Sequence, residues 1–365
     1  MLKKSASFVL ASLRGSTYRS VRLASSLAAA ALDGHFEHPA SHSCIRIIPK
    51  ITVGFERKLS FFRSLLMRRD CAWLATALSL LIIMGSARDA EAGSKPSPEL
   101  VRHLTGIARL AQPSPVVTIP AGPFLLGSKR VDDDPYGNWT QFDDTELPQH
   151  RVWLDAYEMD RDEVSLGEYL AFLQQRKLHP SDELQKLIWH VITIHSVSDQ
   201  TLTRWPALYV TWAEANDLCV AQSKRLPTEA EWEKSARGSE GGLFPWGITA
   251  PNPTVAMFGQ HHVHEIPILA AVDSHEAGKS PYGLHHMAGN VAEWVQDWFG
   301  FDYYAYMPER NPPGPTSGRY KSVRGGSWKS NQIMLRTATR GGSAPDQRSA
   351  TIGFRCAQSS TATTP

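Results

Sequence analysis

The sequence predicts an α+β domain with little regular structure behind a leader, and three observations carry that reading. Three helix starts in the first half of the domain announce themselves by the same capping device. Beyond Gly238 no helical periodicity survives, and short strand candidates alternate with Gly, Pro and Trp. The chain of 365 residues is 42% hydrophobic and 20% charged, with 11 Trp, 26 Gly and 24 Pro, so it can bury a sizeable core and is neither an extended disordered chain nor a long coiled coil.

Residues 1–66 are rich in Ser, Ala, Arg and Lys and poor in acids. They read as a targeting extension, or as a non-native one if translation starts at Met67. Residues 67–92 have the order of a secretory signal: Arg68-Arg69, the uncharged run Cys71–Ala87 containing Leu74–Met84, then Ala90-Glu91-Ala92 before Gly93. The run of 17 residues falls just short of the ~18 that span a bilayer, so a secreted or periplasmic domain is expected. The alternative is a domain held outside a membrane through residues 71–87. Residues 1–92 hold 13 of the 38 Lys and Arg but 6 of the 36 Asp and Glu, leaving 25 basic and 30 acidic residues in the body. A body this acidic argues against nucleic acid as a partner, because no basic stripe remains to displace counterions.

Export also bears on the cysteines. Removing the leader removes Cys44 and Cys71 and leaves Cys219 and Cys356, which the residues alone allow to be a disulfide or two unrelated buried thiols.

Residues 93–115 read as a linker around a short helix-like piece, and the domain is expected over 116–358 with a tail at 359–365. It opens on a strand at Val116–Ile119. The capping boxes Ser165-x-x-Glu168, Thr211-x-x-Glu214 and Thr228-x-x-Glu231 each precede apolar residues at helical spacing. The first helix should end near Lys177, before Pro180. Strands are expected at Tyr320–Val323 and Ile352–Cys356.

Several clusters carry two readings. His261, His262 and His264 crowd one loop, with His275, His285 and His286 following. The pair His262 and His264, with another His and a carboxylate such as Glu265 or Asp273, would suit iron or copper, or the loop is simply solvated. The stretches Asp132–Asp134 and Asp143-Asp144 form either a cleft rim or a solvated loop. Trp246, Trp294, Trp298 and Trp328 read as core, and Arg336, Arg340 and Arg355 as structural ties. No G-x-S-x-G elbow, Walker loop or dinucleotide fingerprint occurs.

Five motifs stand in order between Ile119 and Ala357: Arg225-Leu226-Pro227-Thr228-Glu229 with Trp232, Phe244-Pro245-Trp246-Gly247, Gly289-Asn290-Val291-Ala292-Glu293-Trp294, Arg324-Gly325-Gly326-Ser327-Trp328, and Gly353-Phe354-Arg355-Cys356-Ala357. This series resembles the formylglycine-generating enzyme (sulfatase-modifying factor) family. The resemblance implies a C-type-lectin-like fold with a small twisted antiparallel sheet. It also implies a Cys219–Cys356 disulfide.

Oxidase members of that family hold copper on two cysteines after the Gly-Gly-Ser motif. Here Ser330 stands where the first would fall, the segment is shortened, and the second has no counterpart, so the copper site is expected to be absent. Met334 could be a soft ligand there but reads as core. The family's calcium sites imply one here on the carbonyls of Gly289 and Val291 with Glu293, where His286 replaces the usual Asn. Otherwise Glu293 pairs with an Arg inside the fold.

Three functions follow as expectations. The first is an exported family member that matures or oxidises a protein or small molecule in the envelope, as siderophore-tailoring relatives do. The second is a C-type-lectin-like binding module presenting Ser327, Trp328, Asn331 and Arg336 along a groove for a protein or small-molecule ligand. The third is the formylglycine-generating oxidase itself, for which the missing cysteines leave no mechanism.

Overall fold

The segment read as a linker contains a docked helix. The computed structural model describes residues 96–129, 144–260 and 269–360, all within one unit, Ser94–Pro365. Helix α1 spans Pro98–Arg109, with the Ser97 hydroxyl accepting from Leu100 N and Pro98 opening the first turn. Leu100, Leu104, Ile107 and Ala108 form one apolar stripe and are buried. Together with Thr203 Oγ1, which donates to Ile107 O at 3.0 Å, that stripe ties α1 to the domain body.

Among the described residues, nine strands make three small sheets. β1 (Val116–Ile119) pairs with β4 (Tyr157–Asp160), which pairs with β9 (Ala357–Ser359). β2 (Gly122–Leu126) and β3 (His150–Leu154) form a two-stranded ribbon. The largest sheet has the order β7 (Arg340–Ser343), β6 (Lys321–Arg324), β5 (Ala292–Trp298), β8 (Ile352–Phe354). Every pair in the three sheets is antiparallel, as expected, except β5–β8, which is parallel and makes the largest sheet mixed. The α+β class holds.

Each capping box forms both of its reciprocal bonds. They start α2 (Leu166–Gln175), α5 (Trp212–Ala221) and α6 (Glu229–Arg237). α2 ends where expected, with Lys177 at φ 57° after it. Two helices lie outside the sequence expectations, α3 (Asp182–His195) and α4 (Asp199–Leu202), capped by the hydroxyls of Ser181 and Ser198. After Gly238 the described residues contain strands and short 3₁₀ turns but no α-helix. No helix among the described residues is long and apolar enough to cross a membrane.

β5 divides the core because successive side chains of a strand point to opposite faces. Trp294 joins the cluster built from α1, α2, α3 and α5 with Phe354 and Cys219. Its neighbour Val295 joins the cluster of Phe124, Val152, Tyr157, Trp232 and Met287 under the ribbon. The disulfide implied by the resemblance is formed: Cys219 on α5 bonds Cys356, Cα to Cα 5.5 Å, between β8 and β9. Every residue of α6 is buried, so its charged side chains must find partners inside the protein.

Candidate functional site

The turn that carries Ser330 leaves β6 through Gly325 and Gly326, at φ 89° and 67°. A Cβ on Gly326 would lie 2.8 Å from Met334 O, so only glycine lets the chain fold back on the following turn. Ser330 Oγ accepts from Ser327 N at 2.9 Å and lies 3.4 Å from Ser327 Oγ. Ser330 O accepts from Gly259 N at 2.8 Å and Trp328 O from Gln260 N at 2.9 Å, so this turn pairs with the extended segment around Phe258–Gln260. Asn331 Oδ1 caps the next turn by accepting from Ile333 N and Met334 N.

The four groove residues read from the sequence do not share one surface. Trp328 is completely buried and donates its Nε1–H to Ala350 O at 2.9 Å. Arg336 is buried in a two-pronged ion pair with Glu146, both bonds 2.7 Å. Ser327 is buried as well, which leaves Asn331 as the exposed member. These side chains turn inward because a large ring and a guanidinium supply buried area and a fixed donor fork, which a fold poor in regular structure uses internally. Met334 is exposed rather than core, and Leu335 takes the buried position.

Behind that turn lies a polar core. β5 places Glu293 opposite Arg324 on β6 and Gly353 on β8. Arg355 Nε donates to Glu293 Oε2 at 2.8 Å and Nη2 to Oε1 at 2.7 Å, while Trp232 Nε1 donates to Oε2 at 2.8 Å. Of its two sequence readings, Glu293 thus takes the internal ion pair. Glu163 is fully buried beside it and accepts from Asn290 Nδ2 at 2.6 Å and Val291 N at 3.2 Å. Burial, and then the charge of Glu293, push the Glu163 carboxyl well above the usual range.

The three histidines of the 275–286 stretch come together. His285 sets Nδ1 2.6 Å from Asp162 Oδ1 and Nε2 3.1 Å from Glu276 Oε1. Burial opposes ionisation of Asp162, but the bonds from His285 and Arg161 outweigh it and hold its carboxyl below the ordinary value. His286 is buried, with Nε2 3.0 Å from Ala271 O and Nδ1 without a partner among the described residues. Burial, aided by His275 5.2 Å away ring to ring, pushes its imidazole down to about 3. His262 and His264, with Asp132–Asp134 and Asp143, lie outside the described residues. So do the leader and the possible anchor at 71–87.

A second network fastens α6 to the sheet. Glu229 accepts from Arg340 Nε and Nη2 at 2.7 and 2.8 Å, and Glu233 accepts from Arg324 at 2.6 Å and Arg237 at 2.7 Å. Burial would raise the Glu233 carboxyl, yet Arg324 and Arg237 hold it below its ordinary value. The structural role read for Arg336, Arg340 and Arg355 is what the structure shows. Their partners Glu146, Glu229 and Glu293 lie far off in sequence. The functional-looking group that sequence reasoning misses altogether is Glu163, which has no spacing signal.

These donor sets can be tested against the metals the resemblance implies. Around Ser330 stand hydroxyls, backbone amides and, four residues on, the exposed thioether of Met334, while the two cysteines of the described region are bonded to each other, so no thiolate pair is offered to a cuprous ion. The copper site does not fit. For calcium, the one carboxylate of the set, Glu293, is already neutralised by a guanidinium, and His286 offers a ring nitrogen where a hard cation prefers oxygen. Among the described residues no three His, Cys, Asp or Glu side chains gather as a metal site.

The arrangement of helices and small sheets is shared with a solved structure, that of PvdO from Pseudomonas aeruginosa. That solved structure superimposes at TM-score 0.53 with 23% identity over 68% of this chain and 99% of that one. The profile of the sulfatase-modifying factor enzyme 1-like domain matches residues 105–360, and the chain belongs to this family, which includes the formylglycine-generating enzymes. It is 30% identical to the formylglycine-generating enzyme of Mus musculus over 66% of this chain and 74% of that protein. It is 34% identical to serine/threonine-protein kinase pkn1 of Chlamydia pneumoniae over 72% of this chain, but spans only 41% of the kinase. Hercynine oxygenase of Mycolicibacterium smegmatis is 30% identical over 66% of this chain and 60% of that protein.

Proposed function

We propose that this protein is an exported member of the sulfatase-modifying factor family that does not generate formylglycine, and that it matures or oxidises a protein or small molecule in the cell envelope. The observation that supports this reading is the pairing of Cys219 with Cys356, which leaves Ser330 and its neighbours without a thiol. A hydroxyl does not bind a cuprous ion as a thiolate does, so the oxidase step of the formylglycine-generating relatives has no holder here. Co-expression with a sulfatase, followed by mass measurement of its modification cysteine, is expected to show no conversion. Conversion above background would overturn the reading.

A metal-dependent oxidation would draw on iron or copper, and His262 with His264 is the donor set we assign to it. Metal analysis of the purified chain is expected to find iron or copper, and replacing both histidines with Ala to remove it. Metal content unchanged by that double substitution would reject the assignment.

A second reading is favoured by one observation. Asn331, Ile333 and Met334 are exposed on a capped turn immediately after Ser330, which is how a binding module presents a ligand surface. On this reading the chain binds without catalysis, and the purified protein carries neither iron nor copper.

A further inference from the structure

Arg355 has no exposed surface, and all five of its N–H groups are spent. Nε and Nη2 hold the two oxygens of Glu293, Nη2 also donates to His285 O at 2.8 Å, and Nη1 donates to Arg161 O at 2.8 Å and Asp160 O at 3.2 Å. The guanidinium therefore sits in a nest of one carboxylate and three backbone carbonyls, which is the oxygen set that a hard cation would take. We propose that Arg355 is the resident cation of this nest and takes up the Glu293 carboxylate, so that the carbonyls of Gly289 and Val291 lack the side-chain ligand a calcium ion there would need and the Gly289–Glu293 segment binds no calcium in this protein.

Charge supports the assignment. Asp162 is already paired with Arg161 and His285, and Arg355 pairs with Glu293, so the nest itself holds one negative and one positive charge. A divalent ion entering it would have to break the guanidinium's two bonds to Glu293 and leave Arg355 buried and unpaired, which is strongly unfavourable. His286 gives no compensation, because its Nε2 is held at Ala271 O and a ring nitrogen is a poor ligand for calcium. The nest also holds three parts of the chain together, the end of β4, β5 and the strand leading to β9. A built-in cation makes that junction independent of the metal supply.

The test is a calorimetric titration of CaCl2 into the chelator-stripped full chain, with thermal unfolding in EDTA and in CaCl2. The expected result is no saturable binding at this nest and a midpoint that moves by less than about 1 °C on the few-degrees-per-kcal scale of such transitions. Saturable one-to-one binding that Glu293→Gln abolishes would overturn the proposal. Binding that survives Glu293→Gln lies elsewhere and leaves the nest to Arg355. Should Glu293→Gln fail to fold, Glu293→Asp, which keeps the charge but shortens the reach, serves in its place.

Discussion

Acid should weaken this protein through His286, and the size of the effect can be worked out. The buried imidazole is pushed down to about 3 in the folded protein, against about 6.5 in an unfolded chain. The folded state therefore binds fewer protons than the unfolded one between these values. His286 thus contributes stability that is whole above pH 6.5 and is lost as pH falls toward 3. Linkage between the two values gives a loss of about 2 kcal/mol on going from about pH 7 to about pH 5. Groups with raised values work in the other direction: burial and then Glu229 push the Asp297 carboxyl up to about 8, so its contribution is lost as pH rises. The wild-type profile alone mixes these slopes, and the comparison that isolates His286 is with His286→Asn. Asn tolerates the left-handed backbone at this position, φ 52°, better than other uncharged substitutes except glycine. Urea unfolding followed by tryptophan emission at about pH 7, 6 and 5 should show the stability gap between wild type and variant shifting by about 2 kcal/mol in the variant's favour as pH falls. A gap that stays constant across these pH values would refute the reasoning.

Two further outcomes follow from the packing. Cys219→Ser opens a disulfide closing 137 residues, a loop length for which chain entropy gives about 5 kcal/mol and for which native disulfides in small domains return about 2–5. Its urea midpoint under non-reducing conditions should therefore fall well below wild type, and an unchanged midpoint would contradict stabilisation by loop closure. Gly289→Ala places a Cβ 2.4 Å from Met257 O at φ 82°, which should cost at least about 2 kcal/mol and lower the thermal midpoint by several degrees. A variant as stable as wild type would mean that this close approach relaxes freely.

What the sequence shows well is local. The three capping boxes are legible because both halves of each bond lie three residues apart, as in Ser165 with Glu168. Helix α3 escapes that reading although Ser181 with Asp182 and Glu183 offers an N-terminal signal of the same kind. Helix α1 is visible as a helical piece but reads as linker, because its one apolar stripe does not say what it packs against. The disulfide is legible only with the resemblance, and the groove fails where it depends on which way Trp328 and Arg336 turn.

The sequence by itself therefore determined the family, the helix starts and the replacement of a thiol by Ser330, since each is written in residue identity or in spacing of a few positions. Only the tertiary structure decided who holds whom. Glu293 meets Arg355 across 62 positions and Arg336 meets Glu146 across 190, and no periodicity reports such pairs. A buried charge selects its partner by proximity in a medium of low polarity, and proximity exists only once the chain has closed on itself.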